Sequence, residues 1–119
     1  MRVESAKLLE DIRVAATDAM DMVMGKSFED YRSNKQLRFA VERCFEIAGE
    51  ALAQLNKLDP DTAQRITDWR AIIGFRNVLI HGYAVVRHDK TWDIVTHELP
   101  TLAREVSAML VDSPGKHEG

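Results

Sequence analysis

The chain has 119 residues, of which 45% are hydrophobic and 29% charged, with a formal net charge of −3. That length fits one domain with a modest core, and the slightly negative balance excludes a protein that coats nucleic acid by bulk electrostatics, because such proteins are distinctly basic. Residues 1–7 mix charges without an apolar signal core, no apolar run reaches bilayer length, and the single cysteine, Cys44, has no partner for an internal disulfide, so a soluble cytoplasmic protein is expected.

In chain order, four segments read as helix and none as strand. The first, about 5–24, puts Leu8, Ile12, Ala15, Ala19 and Val23 on one side and stops at Gly25, a natural C-terminal cap. The second, about 34–56, carries Leu37, Val41, Cys44, Ala48, Ala51 and Leu55 at alternating four and three spacing, the seam of helices packed nearly antiparallel. Cys44 on that seam reads as a small buried hydrophobe. Residues 57–61 read as a loop, since Asp59-Pro60 disfavours helix at Asp59 while Pro60 can open the next turn. The third helix runs from Thr67 or Asp68 to His81, turns Trp69, Ile72, Phe75 and Leu79 to the core, and meets Gly82 as its terminator.

After a connector at 83–90, a last helix from about Thr91 lines up Trp92, Val95, Leu99, Leu102, Val106 and Met109. Pro100 interrupts it, which predicts a kink near Glu98 or a short break with Pro100 opening a new turn. The tail beyond Val111 has nothing to bury, so the expected organisation is one domain over 1–112 and a disordered tail over 113–119. The architecture expected is all-α: an antiparallel up-and-down four-helix bundle with a kinked C-terminal helix. Its core is expected to contain Ile12, Leu37, Val41, Cys44, Ala48, Ile72, Phe75, Leu79, Val95 and Leu102.

The most informative stretch is Arg76-Asn77-Val78-Leu79-Ile80-His81-Gly82-Tyr83, which crowds a guanidinium, a carboxamide, an imidazole and a phenol at one helix end. Arg-x4-His alone is a weak signal, because ten Arg and four His supply roughly a third of one such pair by chance. With Tyr two places after the His, and only two Tyr in the chain, the chance expectation falls to roughly 0.006.

Histidine at a helix C-terminus feels the negative end of the dipole and can change protonation near neutral pH, which suits a general acid or base. Arg76 offers bidentate donors to phosphate oxygens and can stabilise charge building up on a phosphorane-like transition state. RNA supplies its own nucleophile in the 2′-hydroxyl, so this pair meets the minimal requirement for cleaving a phosphodiester without metal. No cofactor is implied. A helical-bundle metalloenzyme would need paired Glu-x-x-His elements, whereas Val78, Val85 and Ile94 stand three before His81, His88 and His97. The latter two histidines read as surface or packing residues, and His117 belongs to the tail.

On a continuous helix Asn77 and His81 share a face, but Arg76 and His81 are separated by roughly 140°. A cleft between two symmetric copies converges them better, so a homodimer around this helix is expected. Any RNA contact must be local, and Arg70 and Arg87 are the candidate substrate-binding cations near the motif; for Arg65 and Arg70 an ordinary solvated face fits equally well. The residues alone leave a second reading open, in which Arg76 pairs with a carboxylate of the second helix, His81 caps the helix and Tyr83 packs.

The stretch fits the Arg-x4-His-x-Tyr motif of the HepT family, toxins of the HEPN superfamily encoded beside MNT-type nucleotidyltransferase antitoxins, which the chain resembles over most of its length. Supporting segments are Ala40-Val41-Glu42-Arg43, Glu46-Ile47, Gly49-Glu50-Ala51, Trp69-Arg70-Ala71-Ile72-Ile73-Gly74-Phe75, Trp92-Asp93-Ile94-Val95 and Leu99-Pro100. The resemblance implies a HEPN-like helical dimer acting as the metal-independent endoribonuclease of a type VII toxin–antitoxin system, with Arg76 and His81 of both protomers lining the cleft and Asn77 orienting them. It also implies that Tyr83 accepts AMP from the cognate nucleotidyltransferase, which silences the toxin, as a homodimer or within a larger toxin–antitoxin hetero-oligomer. Glu46 and Glu50, one turn apart, could position Arg76, but a solvated acidic stripe with Glu42 is the simpler expectation for both. The alternative from a different class is a HEPN-like module that binds a nucleotide or a nucleotidyltransferase partner and cuts nothing.

Overall fold

A computed structural model describes residues 1–81 and 87–111, position 81 by its backbone alone. The described residues form helices α1 (Val3–Val23), α2 (Phe28–Ser33), α3 (Lys35–Leu58), α4 (Pro60–Ala63), α5 (Trp69–His81), α6 (His88–Asp93) and α7 (Leu99–Val111), with a π turn at Ile94–Glu98 joining the last two. No strand occurs among them, and none of these helices is long and apolar enough to cross a membrane. Four long elements therefore carry the bundle, as the periodicity requires. The expected tail and the Gly82 cap lie outside the described residues.

The centre of the bundle is α1, which packs on α3 and on α7, while α5 packs on α3. Ser5 Oγ, at the start of α1, donates to Asp59 Oδ2 at the end of α3 (2.8 Å), which fixes these two helices as antiparallel. The buried apolar residues Leu9, Ile12, Val41, Leu52, Leu55, Leu102 and Val106 fill the space between α1, α3 and α7. Cys44 is buried too, and that burial pushes its thiol above the usual range.

Two short helices were not legible from hydrophobic periodicity. Ser27 caps α2 with a reciprocal capping box, its Oγ accepting from Asp30 N (3.1 Å) while Asp30 Oδ2 accepts from Ser27 N (2.9 Å). That cap, rather than an apolar stripe, holds six residues helical and tucks Tyr31 against Trp92. The expected loop at 57–61 is shorter than the sequence suggests: α3 continues to Leu58, Asp59 alone leaves helical geometry, and Pro60 opens α4. The last helix also begins earlier, at His88 rather than Thr91, with its first turn packed on α2.

Pro100 acts as expected on the helix but through a different device. The Leu99 N–H reaches back five residues to Ile94 O, so the ladder widens into a π turn before the position that lacks a donor. Thr96 Oγ donates to the Trp92 carbonyl (2.8 Å), supplying a partner where the register changes.

Of the expected core, Ile12, Val41, Cys44, Ala48, Ile72, Val95 and Leu102 are buried, whereas Leu37, Phe75 and Leu79 are only half-buried. Phe75 and Leu79 stay partly open because α5 packs mainly on α3, and Leu37 lies in the first turn of α3. The cost of truncation should track this difference. Leu52→Ala, at a fully buried site, is expected to cost about 2–5 kcal/mol, and Leu79→Ala clearly less, as read from urea midpoints at unchanged slope.

Candidate active site at the end of α5

Helix α5 is set on α3 by Ile72, Phe75 and Leu79, with the Phe75 ring edge-on to Phe45 at 5.1 Å. The crossing is close because position 49 has no side chain. A Cβ on Gly49 would stand 2.6 Å from Arg76 Cγ and closer still to Arg76 Cβ, so the stem of Arg76 occupies the space a side chain would need. Glycine in mid-helix is unfavourable by roughly 1 kcal/mol relative to alanine; here it admits the arginine.

The guanidinium is then held on two sides. Nη1 donates to Asn77 Oδ1 (2.8 Å), and Nη2 pairs with Glu50 Oε1, whose other oxygen accepts from Gln54 Nε2 (2.9 Å). Nε is buried and makes no hydrogen bond among the described residues. Each Nη carries two hydrogens, so one on each remains for an external oxygen. The arginine side chain is 24% exposed, opening on a groove of about 360 Å³ between α1, α3 and the end of α5.

Glu50 is therefore not part of a merely solvated stripe, because it binds Arg76 across the helix crossing. Glu46 instead pairs with Arg43 (3.3 Å), and Glu42 is half-buried, its carboxyl pushed up by burial with Glu46 adding to the rise. The missed residue is Gly49. Its signal was a glycine inside the most regular apolar helix, with no turn to explain it.

The remaining candidates are spread more widely. Asn77 is exposed on α5, and Arg70, seven residues before it and so on nearly the same face, lies exposed over the Trp69 ring at 4.9 Å. Arg87 is exposed and pairs with Asp89 (2.7 Å). His88 is half-buried, with burial lowering its basicity, and His97 is exposed. Position 81 is the last residue of α5, about 140° round the helix from Arg76; the His81 side chain and the whole of Tyr83 lie outside the described residues.

An all-α bundle that seats an arginine against a neighbouring helix and ends that arginine's own helix on a histidine five residues later defines a HEPN-type protein. A family model described as "Ribonuclease HepT-like" matches residues 12–109, and the chain belongs to this HepT-like ribonuclease family. It is 32% identical to a Methanocaldococcus jannaschii protein named "Putative RNase MJ1380", over 82% of this chain and 89% of that one. It is 34% identical to "Probable ribonuclease HepT" of Thermococcus cleftensis, over 79% of this chain and 84% of that one. No solved structure matches the chain.

Proposed function

We propose that this chain is the toxin of a HEPN/MNT toxin–antitoxin pair: a metal-independent endoribonuclease working through Arg76, Asn77 and His81, silenced when a cognate MNT-type nucleotidyltransferase transfers AMP to Tyr83. The observation that carries the reading is the seating of Arg76 by Gly49, Glu50 and Asn77, with a donor left on each Nη, beside an open groove. In this scheme Arg76 holds the scissile phosphate, His81 takes the 2′-hydroxyl proton as that oxygen attacks phosphorus, and His81 of the partner subunit protonates the departing 5′-oxygen. The products are a 2′,3′-cyclic phosphate and a 5′-hydroxyl, so no metal-bound water is needed. The test is incubation of purified protein with total RNA in EDTA, with His81→Ala alongside to exclude contaminating nucleases. Cleavage by the wild type alone supports the proposal, and intact RNA in both rejects it.

The partner copy is part of the proposal because Arg76 and position 81 diverge round α5. The far side of α5 carries exposed Ala71, Gly74 and Val78, with Arg70 and Asn77 beside them, a face on which a second α5 can lie closely. Light scattering is expected to give twice the chain mass at micromolar concentration. An active strict monomer would refute the composite site.

Tyr83 follows His81 by two residues in sequence, and each AMP on it would bring phosphate charge that competes for Arg76 and repels the RNA backbone. Incubation with the cognate nucleotidyltransferase, ATP and magnesium is expected to add AMP masses to Tyr83 with release of pyrophosphate, while Tyr83→Phe stays unmodified and escapes neutralisation. Adducts confined to Tyr31 would reject the assignment; that ring is fully buried in the fold.

One observation favours the reading in which Arg76 is structural: it is paired with a carboxylate of α3. The module that binds without cutting would use the same Arg76 donors on phosphate without turnover. The EDTA experiment separates both from the nuclease.

A further inference from the structure

The groove beside Arg76 has more in it than a phosphate needs. Two isoleucines that the fold leaves open, Ile47 (39% exposed) on α3 and Ile80 (46%) on α5, line it together with the half-buried Leu8 of α1. The polar lining is Asp11 and Gln54 beside the Arg76–Glu50 pair, with the Arg43–Glu46 pair. Asp11 Oδ1 takes Lys7 (2.6 Å) and Gln54 Nε2 is given to Glu50 (2.9 Å), which leaves one oxygen of each side chain as an acceptor. A second phosphate is disfavoured there because three carboxylates, Asp11, Glu46 and Glu50, line the groove against two cations, Arg43 and Arg76, whereas a flat, uncharged ring with N–H donors on its edge matches both the apolar walls and the acceptors. The volume, about 360 Å³, is in the range of small-molecule sites, roughly 300–1,000 Å³.

We propose that this groove is a base subsite: it holds the nucleobase of the nucleotide next to the phosphate at Arg76, packed between Ile47, Ile80 and Leu8, and favours bases whose amino group can donate to Asp11. The subsite rests on the nuclease reading for its biological use, but its occupancy is measurable without turnover.

The experiment is a methyl NMR titration of the full chain with the 2′-deoxy homodinucleotides of G, A, C and T, which lack the attacking hydroxyl, and with inorganic phosphate as the probe for Arg76 alone. The expected result is movement of the Leu8, Ile47 and Ile80 methyls with dinucleotide but not with phosphate, at lower concentration for G, A and C than for T, and loss of that order in Asp11→Asn. Ile47→Trp is expected to weaken dinucleotide binding by roughly tenfold or more, the scale of a misfit in an apolar pocket, while the dimer mass is unchanged. Dinucleotides that leave these methyls unmoved overturn the subsite even if the protein cleaves RNA. Methyl shifts in a protein that never cleaves RNA sustain the subsite and reject the nuclease. A dimer lost in Ile47→Trp would mean that a second copy fills the groove, which also overturns it.

Discussion

Arg76→Ala is expected to lower RNA cleavage by roughly 100-fold or more, the scale of losing a cation aimed at developing phosphoryl charge, with only a modest loss of stability, from the stem that packs on Gly49. The two halves stem from different features of the same side chain. The guanidinium is held at the crossing of α3 and α5 by Glu50 and Asn77, whereas the other arginine lining the groove, Arg43, pairs with Glu46. Its partner Glu50 is 46% exposed, and a pair that open to water contributes on the order of 0–1 kcal/mol, so releasing Glu50 into solvent costs little. His81→Ala should fall by a similar factor, as loss of a general acid-base group does. Turnover of a defined RNA oligonucleotide, read beside urea midpoints and dimer mass, checks all of this. Unfolding of Arg76→Ala would assign the arginine to structure and reject its catalytic role.

The second large effect is expected at a residue with no chemistry of its own. Gly49→Ala adds one methyl, which meets the Cβ and Cγ of Arg76 rather than the far end of a flexible chain. Something near the backbone must shift, at a cost of about 1–3 kcal/mol for an overpacked site, even though alanine is the better helix former. The activity loss should approach that of Arg76→Ala, because an arginine pushed off α3 no longer meets Glu50 and Asn77 in one orientation. Gly74→Ala is the contrast within one chain, since nothing there lies within 4 Å of a Cβ: it should leave the seat of Arg76 intact, and because Gly74 lies on the face proposed for the partner copy, its dimer mass is read as well. Turnover and denaturation of the two variants side by side give the answer; full activity in Gly49→Ala would show that the seat is dispensable.

The helices of this chain were legible because their signals are local. The apolar residues of α1, α3 and α7 recur at three and four, so each of these helices declares its buried side before any partner is known. The candidacy of Arg76-Asn77 and His81 could be raised from sequence for the same reason, being a matter of residue type and spacing on one helix. What periodicity could not reveal was α2, which depends on a reciprocal cap and a single buried tyrosine, and the π turn, where only an interruption at Pro100, which lacks a donor, was visible.

The half-exposure of Phe75 and Leu79, the pairing of Glu50 with Arg76 and the function of Gly49 were decided by tertiary structure alone. Each depends on which neighbour α5 has and how closely it approaches. A helix carries the same stripe whether one partner or two cover it, and a glycine in a helix is a defect until the residue that fills its space is known. The sequence by itself determined an all-helical chain with an arginine and a histidine five residues apart on one helix. Only the packing of α5 on α3 decided how that arginine is held, because contacts between residues 26 positions apart in sequence are set by the depth of the helix crossing, which no local pattern records.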